Sequence, residues 1–131
     1  MKHDPDIRAL LRHINRVNAF MRWLREDGDR LVAAAALLGG PAWARRAGTI
    51  VEAARGGHDL FAHRPALGAL HRLLHLDLVH EPDCAEAALF ASVHPDDPRA
   101  DAARLCADAL DRGVRATEAL RRAGIVCIRE V

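Results

Sequence analysis

The sequence is poor in aromatic residues, has almost no lysine or serine, and contains no long apolar run. Its longest uninterrupted apolar stretch, Leu31 to Leu38, spans eight residues, whereas a helix that crosses a bilayer needs about 20. The start, Met1-Lys2-His3-Asp4-Pro5-Asp6, lacks the apolar segment of a signal peptide. Both absences lead to the expectation of a cytoplasmic protein with no membrane partner. Tyrosine is missing, and the aromatic set is Phe20, Phe61, Phe90, Trp23 and Trp43. The core must therefore be built from Leu, Val, Ile and Ala.

Cysteine is scarce as well. Cys84, Cys106 and Cys127 are odd in number, widely spaced and without a Cys-x-x-Cys pair. That argues against a disulfide framework or a thiolate zinc site and for buried or half-buried free thiols in a reducing compartment. The single serine, Ser92, lacks the glycines of a nucleophile elbow. No glycine-rich loop has the spacing of a phosphate loop or a dinucleotide fingerprint. There is no convergent catalytic set and no cofactor motif, so the residues argue for a non-enzymatic protein.

What the sequence has in quantity is alanine, the residue most favourable to helix, which also lets helix axes approach closely. At 131 residues the chain fits one domain, 1–131, and can bury about two-thirds of the surface of its unfolded state. Ile7, Leu10, Leu11, Ile14, Val17, Met21 and Leu24 recur at helical spacing. With Asp4 as cap and Pro5 in the first turn, they predict a helix over 5–26. Asp27-Gly28-Asp29 reads as a break before a short helix over 30–38 that stops at Gly39-Gly40. Pro41 opens a helix over 41–55 and Gly56-Gly57 closes it. Pro65 opens a helix over 65–79 carrying Leu67, Leu70, Leu74 and Leu78. Pro82 opens another through Ala91. Asp97 and Pro98 start the last helix, 98–123, which Gly124 ends after Arg121 and Arg122. The expected fold is an all-α compact bundle of about six helices, with a short extended C-terminal tail around Ile125-Val126-Cys127-Ile128. The long helices 5–26 and 98–123 are expected to pack together with the helix near 65–79.

The last helix carries a seam of small residues, Ala102, Ala109, Gly113 and Ala116, among Leu105, Cys106, Leu120 and Ala123. A mid-helix glycine costs about 1 kcal/mol relative to alanine, which close approach of another helix, in the same chain or in a second copy, would offset. This seam supports the leading functional expectation: a self-associating or protein-binding module, with the chain itself, as a homodimer, the expected partner.

A second expectation comes from histidine. His58, His63, His71, His75, His80 and His94 lie in one stretch of the chain. His71 and His75 are four residues apart on a predicted helix, the spacing at which two imidazoles can share a divalent transition metal. A further ligand would come from His58, His63 or His80, or from Glu52, Asp108 or Asp111 on facing helices. Neither the Glu-x-x-His pattern of di-iron bundles nor the His-Glu-x-x-His of zinc proteases occurs.

A third expectation rests on charge. Arg8, Arg12 and Arg16 form a basic patch on the first helix, whereas residues 77–111 are rich in Asp and Glu, although the net charge is only +1. Such a stripe can bind phosphate. The missing basic excess and the missing aromatic interleaving argue against nucleic acid as a partner. A helix-turn-helix centred on Gly39 or Gly40 would place Arg45 or Arg46 where an apolar packing residue belongs, so that motif fails too.

Overall fold

From Val17 to Leu38 one face of the chain is apolar at every third or fourth position: Val17, Phe20, Met21, Leu24, Leu31, Ala35 and Leu38 are all buried. The computed structural model, which describes residues 3–77 and 84–125, winds this stripe into one helix, α1, His3–Gly39. Its 37 residues span about 55 Å at 1.5 Å rise per residue. Four more helices follow, α2 (Pro41–Arg55), α3 (Arg64–Leu74), α4 (Ala85–Ser92) and α5 (Pro98–Arg122), with a 3-10 turn at Leu60–His63. The fold is all-α: the described residues contain no strand and form a bundle of five helices, one fewer than expected.

The difference of one helix lies at Asp27-Gly28-Asp29, which does not break α1. Gly28 falls on the buried stripe between Leu24 and Leu31, and α2 lies directly over it. A methyl group at Gly28 would stand 2.4 Å from Val51 Cγ1 and 2.9 Å from Cγ2. The glycine is there for close approach, while its acidic neighbours pair on the surface with Arg30 (3.8 Å) and Arg55 (3.3 Å). Gly28→Ala is therefore expected to destabilise the protein despite the better helix propensity of alanine. Val51 is β-branched and stiff in its helix, and overpacking of this kind costs about 1–3 kcal/mol. Thermal melts should show a lower midpoint for Gly28→Ala and a partial recovery in Gly28→Ala/Val51→Ala; additive losses would mean that the two side chains do not compete for the space.

At the end of α1, Gly40 adopts φ 85°, a left-handed conformation that a glycine accepts without strain, and the chain reverses into α2. The ends of α2, α3 and α5 share one device. His58 N–H donates to Ala53 C=O and Gly57 N–H to Ala54 C=O; Asp77 N–H donates to Arg72 C=O and Leu76 N–H to Leu73 C=O; Ile125 N–H donates to Leu120 C=O and Gly124 N–H to Arg121 C=O. Each pair closes a helix in the Schellman pattern, with a left-handed residue at the turn. Gly57 and Gly124 fill that position in two of them, whereas Leu76, at φ 63°, fills it in α3. The helix expected over 65–79 thus stops at Leu74, and Leu78 falls outside the described residues. So does the expected start of the next helix at Pro82; α4 begins at Ala85, with Cys84 Sγ accepting a bond from Ala87 N–H. α5 matches its expectation, capped by Asp97, whose carboxylate accepts from Arg99 N–H at 2.9 Å. Of the expected C-terminal tail only Ile125 is described, packed half-buried against the core.

α1 is the axis of the bundle. α2 packs along its C-terminal half and α5 along its other side, with α3 seated on α5 and touching α1 and α2. The seam on α5 meets α1: a methyl group on Gly113 would stand 2.2 Å from Phe20 Cγ. Gly113 and Ala116 are buried in this contact, Ala109 is half-buried, and Ala102 is exposed. α4 touches α1 and is tied to α2 through Trp43, whose Nε1–H donates to Glu86 Oε1 at 2.9 Å while Arg46 lies over the indole, 4.7 Å from its centroid. Cys106 is buried in the core, which pushes its thiol pKa up, and Cys127 lies outside the described residues. Among the described residues no helix is long and apolar enough to cross a membrane.

Candidate metal centre

α3 buries Leu67, Leu70, Leu73 and Leu74. This pins the helix and turns the edge that carries His71 toward α5. His75 is the C-cap residue of α3 and is exposed, while His71 is half-buried. On α5, burial of Leu110 and Gly113 sets Asp111 at the rim of the interface, facing His71.

His71 Nε2 lies 2.7 Å from Asp111 Oδ1. The same carboxylate accepts a second bond on Oδ2 from Arg115 Nε at 2.9 Å, one helical turn further along α5. Hydrogen bonding by His71, reinforced by Arg115, holds the Asp111 carboxyl below the usual carboxylate range. With the acid ionised, His71 Nε2–H is the donor. His75 Nε2 lies 3.2 Å from the Ala107 carbonyl. A carbonyl can only accept, so this nitrogen carries a proton too. The two imidazoles stack with centroids 4.2 Å apart and planes tilted by 35°.

One nitrogen from each ring and one Asp111 oxygen lie within 4.8 Å of one another. Ligand atoms around a tetrahedral ion at about 2.1 Å stand about 3.4 Å apart, so small side-chain rotations, with the exposed His75 moving most freely, close the set. Among the other residues singled out by sequence, His58 and Asp108 are exposed and stand outside this cluster. His63 ends the 3-10 turn, and Glu52 is paired with Arg55 at 3.3 Å. His94 lies on the link before α5, where its Nδ1 accepts from Asp96 N–H at 3.0 Å. His80 lies outside the described residues.

The cluster opens on a groove of about 450 Å³ lined by His71, Asp111, Val114, Arg115, Glu118, Ala119 and Arg122. Glu118 is held on both oxygens, by Arg64 at 3.3 Å and by Arg121 at 3.1 Å. These bonds, with Arg121 foremost, lower its pKa, as the Trp43 bond lowers that of Glu86.

Carboxyls depressed in the folded state contribute stability that is fully present above their unfolded pKa values. It is lost as pH falls through the folded ones. Urea midpoints are therefore expected to hold steady at neutral pH and to drop on acidification below about pH 4, the ordinary carboxyl range. Asp111→Asn should flatten part of this drop; an unchanged acid limb would show that the His71–Asp111 bond does not couple to folding.

The basic patch Arg8, Arg12 and Arg16 is exposed along α1. Arg16, together with Arg112, borders a separate shallow groove of about 150 Å³ over Phe20 and Trp23. Arg45 and Arg46 are also exposed, where a helix-turn-helix would bury an apolar side chain. Two elements that the sequence did not single out complete the picture: the Trp43–Glu86 bond and the left-handed Leu76 that stops α3 just after His75.

Comparison of the chain with protein-family models, with curated proteins and with solved structures gave no match. The class of protein is thus defined by its own features, an all-α bundle with two histidines and one carboxylate gathered at a helix–helix rim.

Proposed function

We propose that this protein is a metal-binding helical bundle in which His71, His75 and Asp111 hold one divalent transition-metal ion. The observation that carries this reading is the convergence of three donor atoms, from two helices, within 4.8 Å at the mouth of an open groove. Two imidazoles and one carboxylate suit zinc, iron(II) or cobalt(II) better than the oxygen-seeking magnesium or calcium. Three protein ligands leave at least one position open for water or a ligand, the arrangement of reactive and sensing sites rather than of closed structural ones. Asp111 is already ionised, and Arg115 holds the carboxylate from behind in the manner of an outer-shell partner. In the metal-free protein a proton sits between His71 and Asp111; the ion would replace it.

The test is a native mass spectrum of protein purified without chelator and then titrated with cobalt(II). One ion per chain, with the intense visible bands of a low-symmetry cobalt site, is expected. No uptake would reduce the cluster to a hydrogen-bonded tether between α3 and α5.

A second reading, self-association or protein binding, draws on a different surface from the seam on α5, whose Gly113 is covered by Phe20 of the same chain. Ile7 and Leu11, one turn apart on α1, are 52 % and 53 % exposed. An apolar pair of this kind favours a contact with a second copy through the first turns of α1. The same spectrum reads it: a species at twice the chain mass that Ile7→Ser/Leu11→Ser abolishes would establish the contact, and a clean single-chain mass would remove it.

A further inference from the structure

We infer that the furrow between α1 and α5 over Phe20 and Trp23 is a binding site for a small aromatic acid, one flat ring laid on the indole with its anionic oxygens held by Arg16 and Arg112. The site lies apart from the proposed metal centre and does not depend on it.

Backbone packing makes the space. Gly113 meets Phe20 so closely that a methyl group there would stand 2.2 Å from Phe20 Cγ. The two helices run antiparallel: Phe20 lies opposite Gly113, while further along α1 Ala33 and Ala34 share a second groove with Ala102 and Ala103. Ala19 and Ala109 carry too little bulk to fill the furrow beside the close contact, and about 150 Å³ stays open. An apolar cavity of about this size takes up benzene, so a single six-membered ring fits. The floor is aromatic as well. Phe20 and Trp23 stack with centroids 6.1 Å apart and planes 16° from parallel, and the half-buried indole offers the furrow a ring surface.

Charge selects the ligand. The polar groups of the lining side chains are all donors, on Arg16, Arg112 and Trp23, and no acid lines the furrow. None of these three has an ionic or hydrogen-bonding partner among the described residues. Of the acids beside Arg112 on α5, Asp111 is taken by His71 and Arg115, and Asp108 makes no ion pair with it. Arg16 and Arg112 stand on opposite walls. With Phe20 level with Gly113, four residues separate Arg16 from that level and one separates Arg112 from it on the other side, an offset of about 7.5 Å along the axis at 1.5 Å per residue. Two long, exposed side chains close that span around one anionic group, and the guanidinium fork matches a carboxylate or phosphate in two-point contact. The second groove supplies a contrast. Its arginines are neutralised from within, Arg30 by Asp27 at 3.8 Å and Arg99 by Asp97 at 2.7 Å, and it has no aromatic floor. Donors without acceptors, set over a ring face, call for an anion with a flat apolar body.

The test uses the metal-free full chain, isotope-labelled for nuclear magnetic resonance, and follows the two tryptophan indole N–H signals, assigned with Trp23→Phe. Benzoate and, separately, phenyl phosphate are titrated at constant ionic strength in chloride. The expected result is a saturable shift of the Trp23 signal by at least one of them, with the signal of Trp43, which is bonded to Glu86, unmoved. Acetate, which lacks the ring, and benzyl alcohol, which lacks the charge, should each bind at least about tenfold more weakly. Arg16→Gln/Arg112→Gln should weaken the acid by at least about tenfold, the scale of a hydrogen bond to a charged group. The melting midpoint of that variant should stay unchanged, because both side chains are exposed. Ala19→Leu, at an exposed position on the rim, should block the furrow with both arginines in place. Tighter binding of benzoate assigns a carboxylate, and tighter binding of phenyl phosphate a phosphate ester. No saturable Trp23 shift with either acid overturns the inference, as does equal binding of benzyl alcohol or a shift that survives the double arginine change. A Trp23 signal that moves with protein concentration alone gives the furrow to a second copy of the chain and overturns it too.

Discussion

Gly113→Leu is expected to be the most damaging single substitution in the bundle. The first carbon of any side chain at this position already stands 2.2 Å from Phe20 Cγ and 2.3 Å from Cδ1. These are atoms at the root of a ring that is itself 4 % exposed, so they cannot swing aside. Leucine adds three more carbons behind that contact. Overpacking of a close core costs about 1–3 kcal/mol and sometimes more, and the gain of about 1 kcal/mol in helix propensity offsets only part. We expect a net loss of about 3 kcal/mol at the upper end of this range, which for a chain of this size lowers the melting midpoint by about 10 °C or more. Combining it with Phe20→Ala should recover part of the loss, because the two side chains claim one volume and their effects are not additive. A melting midpoint within a degree or two of the parent would mean that α1 and α5 are not in the close contact described.

The second large effect concerns the metal. His71→Ala/His75→Ala removes two of three ligands and is expected to weaken cobalt or zinc binding at least about 100-fold, since even outer-shell losses at metal sites cost 10–100-fold. The helical circular dichroism should be unchanged, because His75 is exposed and His71 only half-buried. In the parent protein the ion takes the place of the proton between His71 and Asp111, so metal uptake should weaken on acidification. Added metal at about 100 times its dissociation constant should stabilise the parent by about 2.7 kcal/mol and the double variant by no more than about 0.4 kcal/mol. Metal uptake that survives in the double variant would end the assignment of these residues.

Much of the bundle was legible in the sequence because its signals are local. Prolines at first turns and an aspartate cap gave the starts of α2 and α5, and paired or single glycines gave the ends of α1, α2 and α5. The same local logic misread Gly28. A glycine flanked by two aspartates has the composition of a turn, and only the placement of α2 reveals that it lies on a buried stripe, with Val51 against it. The stripe itself was visible, since Leu24 and Leu31 are seven apart and Gly28 falls between them on the same face. Leu76 had no signal at all: a leucine in the left-handed position looks like one more apolar helical residue, yet it closes the Schellman turn at the end of α3 and packs against the core.

The candidate site divides in the same way. His71 and His75 could be paired from their spacing, because a helix brings residues four apart onto one side. Asp111 stood in the sequence only as one of several acids on facing helices, level with Asp108 and Glu52.

The sequence by itself determined that the chain is helical, where most helices begin and end, and which faces are apolar, because propensity, capping and periodicity act over a few residues. Tertiary structure decided what lies across those faces. It joined the first two expected helices into one by covering Gly28, and it turned Gly113 of the α5 seam inward onto Phe20 while leaving Ala102 exposed. It also chose Asp111 from among the acids by setting α3 on α5 in a register that brings its carboxylate 2.7 Å from His71. Contacts between residues 40 positions apart depend on how whole helix faces pack, and no short stretch of sequence carries that information.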